Sequence, residues 1–298
     1  MADIGAIIGG GFGLIRRHPG SVVVWGVIAA ASGAAIGWLQ FRTGLMATEP
    51  SGLDLGRHAL RLALGLLSFV ISTILSAAAL RAVLDPGAGG FAYLRLGADE
   101  ARMIGLTLLL YVLALIAGVI GTLGFAFLVA LFGFLTFGNA AVAQLLAGLL
   151  ALAVFAGVVF VLVRLSLVYP LVLVRRRISI DDSWELTRGH FWSLLGAYVL
   201  LALISFALIF AVMLPVAGMH VQAAASGGWQ SWSATTPLDY RDLASLKSTV
   251  LVALVASAAI NALLLALWSG ALATATLGLL DSKNGAQMLE EGEYSPDD

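Results

Sequence analysis

From Met103 to Val163 the chain runs for 61 residues without one charged side chain. A bilayer hydrocarbon core of about 30 Å is crossed by roughly 20 apolar residues in a helix rising 1.5 Å per residue. The run is therefore too long for one membrane span and long enough for two spans and a turn. It is the extreme case of a general pattern. The 16 Lys and Arg residues sit in narrow bands, with long apolar stretches between them. Hydrophobic residues make up 60% of the chain, charged residues 11%, and the mean hydropathy is +1.00. Soluble domains run near 45–50% apolar and about 25% charged. The fold class this predicts is an all-α, polytopic transmembrane helix bundle of about six spans plus short interfacial helices.

Charge bands and breakers place the elements. Residues 1–17 are apolar but glycine-rich (Gly5, Gly9, Gly10, Gly11, Gly13) and end at Arg16-Arg17. They read as a weak interfacial helix lying on the membrane. The Gly5/Gly9/Gly13 spacing could also press it on a neighbouring helix. Arg16-Arg17 before an apolar run mimics a twin-arginine leader, but His18-Pro19-Gly20 does not suit one, so an uncleaved first span is expected. Spans are predicted at about 20–41, 61–82, 103–134, 141–173, 190–218 and 249–280, which together make residues 18–280 one transmembrane domain. Asp85-Pro86-Gly87 ends the second span, and Phe91 to Arg102 reads as a short interfacial helix. Phe137-Gly138-Asn139 is the turn inside the long run. A kink is expected at Tyr169-Pro170. After Arg175-Arg176-Arg177, the Ser179/Asp182 spacing and Gly189 bracket a short surface helix. Met219 to Lys247 is a polar segment in which Thr236-Pro237 reads as a helix start. Residues 281–298, acidic and containing Gly, Ser and Pro, are expected to be disordered.

Six spans put Arg16, Arg17, Arg81, Arg95, Arg102, Arg164, Arg175, Arg176, Arg177, Arg188 and Lys283 on one side, against Arg42, Arg57, Arg61, Arg241 and Lys247 on the other. The excess of positives marks the cytoplasmic side. The expectation is a bacterial inner-membrane protein with both termini in the cytoplasm. The acidic tail hides a body charge of about +4, which suits anionic lipid head groups. Trp25, Trp38 and Trp192 fall near predicted interfaces, as an aromatic belt does.

Small residues recur at helical spacing: Gly33 and Gly37; Gly65, Ser68, Ser72 and Ser76; Gly118, Gly121 and Gly124; Ser257 and Asn261. Close helix packing accounts for them, with an interhelical hydrogen bond expected from Asn261. A substrate path lined by small polar groups is the alternative. Arg164 is the one cation that could lie inside the hydrocarbon, unless its span ends there and the guanidinium snorkels outward. The chain holds no cysteine, no HExxH, no phosphate-binding glycine loop, no embedded Asp pair and no GxSG motif. No predicted span contains a carboxylate. These points weigh against enzyme and ion-coupled pump, and imply no catalytic residue, no metal and no cofactor.

One stretch has a recognisable pattern: Tyr169-Pro170, then Arg175-Arg176-Arg177, then Ser183-Trp184, Leu186-Thr187, Gly189 and Phe191-Trp192. It resembles the signature of a bacterial polytopic family that includes YciC-like proteins and the membrane domain ahead of some glycerophosphodiester phosphodiesterases. The amphipathic start followed by Arg-Arg-His-Pro is similar too. The resemblance implies an inner-membrane module of poorly defined function. Nothing after the sixth span corresponds to a phosphodiesterase domain, so hydrolase activity is not implied.

The function expected is therefore non-catalytic and acts through membrane lipids or an unidentified protein partner, without nucleic acid. Its candidate contact face is Arg175, Arg176, Arg177, Ser183, Trp184, Thr187, Arg188, Gly189 and Trp192, where three arginines beside two tryptophans could hold an anionic head group. The alternative is a transporter or lipid translocator with a cavity between spans four and six, using the intramembrane polar residues Arg164, Tyr169 and Asn261.

Overall fold

A computed structural model describes residues 3–45, 55–88, 90–95, 97–136, 139–178, 180–227 and 248–290. Every regular element among them is helical. In chain order they are α1 (Ile4–Arg17), α2 (Pro19–Arg42), α3 (Leu55–Leu84), 3-10 turns at Pro86–Ala88 and Phe91–Tyr93, α4 (Ala98–Leu135), α5 (Ala140–Leu165), α6 (Val168–Arg175), α7 (Ile180–Leu186), α8 (Phe191–Gly227) and α9 (Ser248–Glu290). Six segments among the described residues are long and apolar enough to cross a membrane. The chain is an all-α bundle of the multi-pass type.

Helix α9 is the hub. It packs against α1, α2, α3 and α8, and touches α6 and α7. Its sequence permits this because small residues recur every fourth position: Ala258, Ala262, Ala266, Gly270, Thr274. Residues four apart share a helix face, and small ones let backbones approach closely. A Cβ on Gly26 of α2 would lie 2.5 Å from the Ala258 carbonyl oxygen. A Cβ on Gly270 would lie 2.7 Å from the Gly10 carbonyl oxygen, and one on Gly11 would lie 2.6 Å from that of Leu267. Helix α1 is thus fastened to α9, with Ile7, Gly11 and Leu14 buried, rather than lying free on the membrane surface. The glycines that make this contact are Gly10 and Gly11. Gly9 and Gly13, from the predicted spacing, meet nothing within 4 Å, and Gly5 meets only Asp3.

The connection from α3 to α4 corrects another expectation. Instead of an interfacial helix, Phe91–Tyr93 forms a tight turn in which Ala92 and Tyr93 take left-handed φ values of 51° and 58°. Such backbone is costly for residues with a Cβ. Two side chains hold it. Trp25 Nε1 donates to the Ala92 carbonyl at 2.9 Å, and Arg81 Nη1 donates to the Tyr93 carbonyl at 2.9 Å. Trp25 is fully buried and so is no part of a lipid-facing belt, whereas Trp192 is 79% exposed. Arg81 also pairs with Glu100, both side chains buried. The second Glu100 oxygen accepts from the Gly97 backbone N–H at 2.9 Å and so caps α4.

The long charge-free run divides where the sequence indicates. Helix α4 ends at Leu135, and Asn139 caps α5 by accepting from the Val142 N–H at 3.3 Å. The break expected at Tyr169-Pro170 falls three residues earlier, at Ser166-Leu167. Pro170 then sits in the first turn of α6, where its missing N–H leaves no gap in the hydrogen-bond ladder. At the other end of the chain, α9 continues through Asp281 to Glu290, into the stretch expected to be disordered. Lys283 pairs with Glu185 of α7 at 3.3 Å, and Ala286 to Glu290 are good helix formers. Of the predicted tail, 291–298 lies outside the described residues. So do Ser179 and, in the expected polar segment, 228–247, including Thr236-Pro237. Up to Gly227 that segment continues α8.

Candidate contact face and intramembrane polar residues

The motif around Ser183 is a docking device in which about half the side chains face inward. Helix α7 is only seven residues long, too short to be stable alone. Ser183 and Thr187, one turn apart, are both fully buried. Ser183 Oγ donates to the Arg164 carbonyl at the end of α5, at 2.8 Å. Arg164 Nη1 in turn donates to Thr187 Oγ1 and to the Trp184 carbonyl, both at 3.3 Å. Leu186 joins a buried cluster with Val163, Leu167, Leu194, Ala271 and Leu279. Gly189 closes the motif at φ +85°, a left-handed stop that suits glycine. Ser183 and Thr187 therefore build the face from within, and Gly189 turns the chain at its surface.

What faces outward is Arg175, Arg176, Arg177, Trp184, Arg188 and Trp192. The three consecutive arginines do not act alike. Arg175 and Arg177 both pair with Asp182, Arg177 at 3.2 Å, so one carboxylate offsets one of their two positive charges. Arg176, at the left-handed C-cap of α6, stands outside that pair. The expected head-group cluster is thus most strongly positive at Arg176 and Arg188, beside two exposed indoles.

Arg164 lies at the junction of α5 and α7, not in the middle of the bundle. Its guanidinium sits over the rings of Phe160 and Trp184, 5.2 and 5.4 Å from their centroids. A cation on two aromatic faces in a partly desolvated site is held by about 1–2 kcal/mol per ring. Its Nε is buried without a hydrogen-bond partner. Helix α5 ends one residue later, at Leu165, and the apolar segment continues through α6 to Arg175.

Asn261 also differs from expectation. Its Nδ2 donates to Ser257 on its own helix, at 2.8 Å to the carbonyl, and the residue is exposed. Tyr169, by contrast, lines a cavity of about 320 Å3 between α3, α4, α6 and α9. Its walls include Ser72, Ser76, Thr107, Trp268 and Ser269. Ser72 and Ser76 face this space instead of a close helix partner. Of the three intramembrane polar residues, only Tyr169 reaches the cavity. The α9 repeat of small residues from Ala258 to Thr274 is the signal that could have located the helix forming its wall.

Together the six spans and the face built on α7 define a multi-pass helical membrane protein. No protein-family model, no curated protein and no solved structure matches the chain.

Proposed function

We propose that this protein is a non-catalytic component of a bacterial inner membrane, both termini cytoplasmic, that works through contacts made at its charged end. The observation that carries the reading is the exposed set of Arg176, Trp184, Arg188 and Trp192 on and around the docked helix α7. Indole rings sit well at head-group depth, and the two arginines can meet phosphate oxygens there. The resemblance of the Tyr169–Trp192 stretch to YciC-like and phosphodiesterase-associated membrane domains supports the same kind of role. In purified protein, Arg188→Ala with Trp192→Ala should reduce recovered anionic lipid or a co-purifying partner several-fold, at unchanged abundance. These two residues are chosen because Trp184 also holds Arg164. Unchanged lipid and partner recovery in the double variant would end this reading. A second reading, movement of lipid through the bundle, draws support from the cavity beside Tyr169.

A further inference from the structure

The cavity between α3, α4, α6 and α9 carries an inference independent of the contact face, and it holds whether or not the protein moves lipid. Its wall is half apolar (Phe69, Leu80, Met103, Leu265, Trp268, Leu272) and half hydroxyl-bearing. Thr73 and Thr107 spend their hydrogens on their own helices, donating to the Phe69 and Met103 carbonyls at 2.9 and 2.7 Å. Ser72, Ser76, Tyr169 and Ser269 make no hydrogen bond among the described residues. Ser269 is only 5% exposed as a residue, and its hydroxyl opens on the cavity. Serine in a helix ordinarily bonds back to its own backbone, and these three serines do not. Hydroxyls that line open space are ready to serve a guest.

Three features choose the guest. The lining holds no Lys, Arg, Asp or Glu, so the group received is uncharged. Hydroxyls both donate and accept, which suits an ester carbonyl or another hydroxyl. Depth excludes an ordinary phospholipid head. Asp99 and Arg102, a half-buried ion pair, and the neighbouring Arg81–Glu100 pair mark the edge of the hydrocarbon. Ser72 lies nine residues before Arg81 on α3, about 13 Å deeper along the helix. A phosphate is expensive to draw that far into the membrane, whereas an uncharged glycerol ester is not. Ser72, exposed at the mouth, opens the cavity to the surrounding bilayer. We infer that this cavity binds an uncharged acylglycerol, of the diacylglycerol class, taken laterally from the membrane.

The test uses the full-length chain in nanodiscs of phosphatidylcholine and phosphatidylglycerol carrying a small fraction of diacylglycerol with a diazirine in one chain. After irradiation, labelled peptides are mapped by mass spectrometry. Labelling is expected to concentrate on 69–80 and 265–272 and to fall several-fold when unlabelled diacylglycerol is added in excess. Ser76→Leu, which narrows the cavity, should abolish the excess while leaving labelling of the exposed stretches 111–135 and 140–162 unchanged. Ser72→Phe, at the mouth, tests the same point should Ser76→Leu not fold. The proposal is overturned if these segments label no more than the α4–α5 hairpin. It is overturned equally if extra phosphatidylglycerol competes as well as diacylglycerol, or if Ser72→Phe folds and leaves the pattern unchanged.

Discussion

Helices α4 and α5 are more apolar than α2, α3 and α9, yet they are the least buried part of the molecule. Within the apolar window of each span, 11% of the third and 6% of the fourth is buried, against 28% of the first, 33% of the second and 28% of the sixth. From Tyr111 to Gly124 every residue of α4 is exposed. Below Met103 and Leu106 this helix packs mainly against α5. The reverse holds where α1, α3, α6 and α8 gather around α9: there the core is rich in alanine, glycine and hydroxyl side chains, with a buried ion pair beside it. In a bilayer, burying leucine against protein gains little over leaving it against lipid tails. Close packing and hydrogen bonding decide which helices associate. Hydropathy therefore says that a segment enters the membrane, and small or polar residues say which segment lies at the centre.

That contrast can be broken, beginning with the largest expected effect. Glu100→Gln removes the partner of a buried arginine at the packed end. The loss should be about 3–5 kcal/mol, read as a fall in thermal unfolding midpoint in detergent. Replacing both Arg81 and Glu100 by apolar residues of similar volume should restore much of it. If Glu100→Gln unfolds at the parent temperature, the ion pair does not hold the α3–α4 turn. Gly10→Leu comes next. The nearest atoms of Thr274 and Gly270 leave no room for it, and overpacking of this kind costs about 1–3 kcal/mol. Released α1 should also become sensitive to protease near Arg16-Arg17. Smallest of all is Gly118→Leu on the hairpin. Its Cβ meets nothing within 4 Å, so stability should move by no more than about 0.5 kcal/mol. A large loss there would mean that the hairpin packs against protein after all, as a second copy or a partner would require.

Much of the fold is legible in the charge bands. Each of the six spans appears close to its predicted place, and Asn139 marks the turn inside the long run because its side chain caps a helix. The candidate face is less legible. Ser183, Thr187 and Gly189 belong to a recognisable motif, but their position in it does not reveal that two hydroxyls fasten α7 to Arg164. Arg175 and Arg177 look like free positive charge until the fold brings Asp182 to both. Asn261 seems placed to bridge helices, yet Ser257, one turn earlier, is the nearer partner.

The sequence by itself determined that this chain is a membrane-spanning helical bundle, because span length and the cost of burying charge are local properties of each segment. It also placed the spans approximately, through Gly, Pro, Asn and the arginine bands, although α8 and α9 run on past their expected ends. Only the tertiary structure decided that α9 is the hub, that α1 belongs to the core, that the α4–α5 hairpin stands apart, and that unpartnered hydroxyls from α3, α6 and α9 line one cavity. Lipid and protein offer an apolar side chain nearly the same environment. The choice of neighbour therefore rests on backbone approach and polar pairing, which come from residues far apart in the chain.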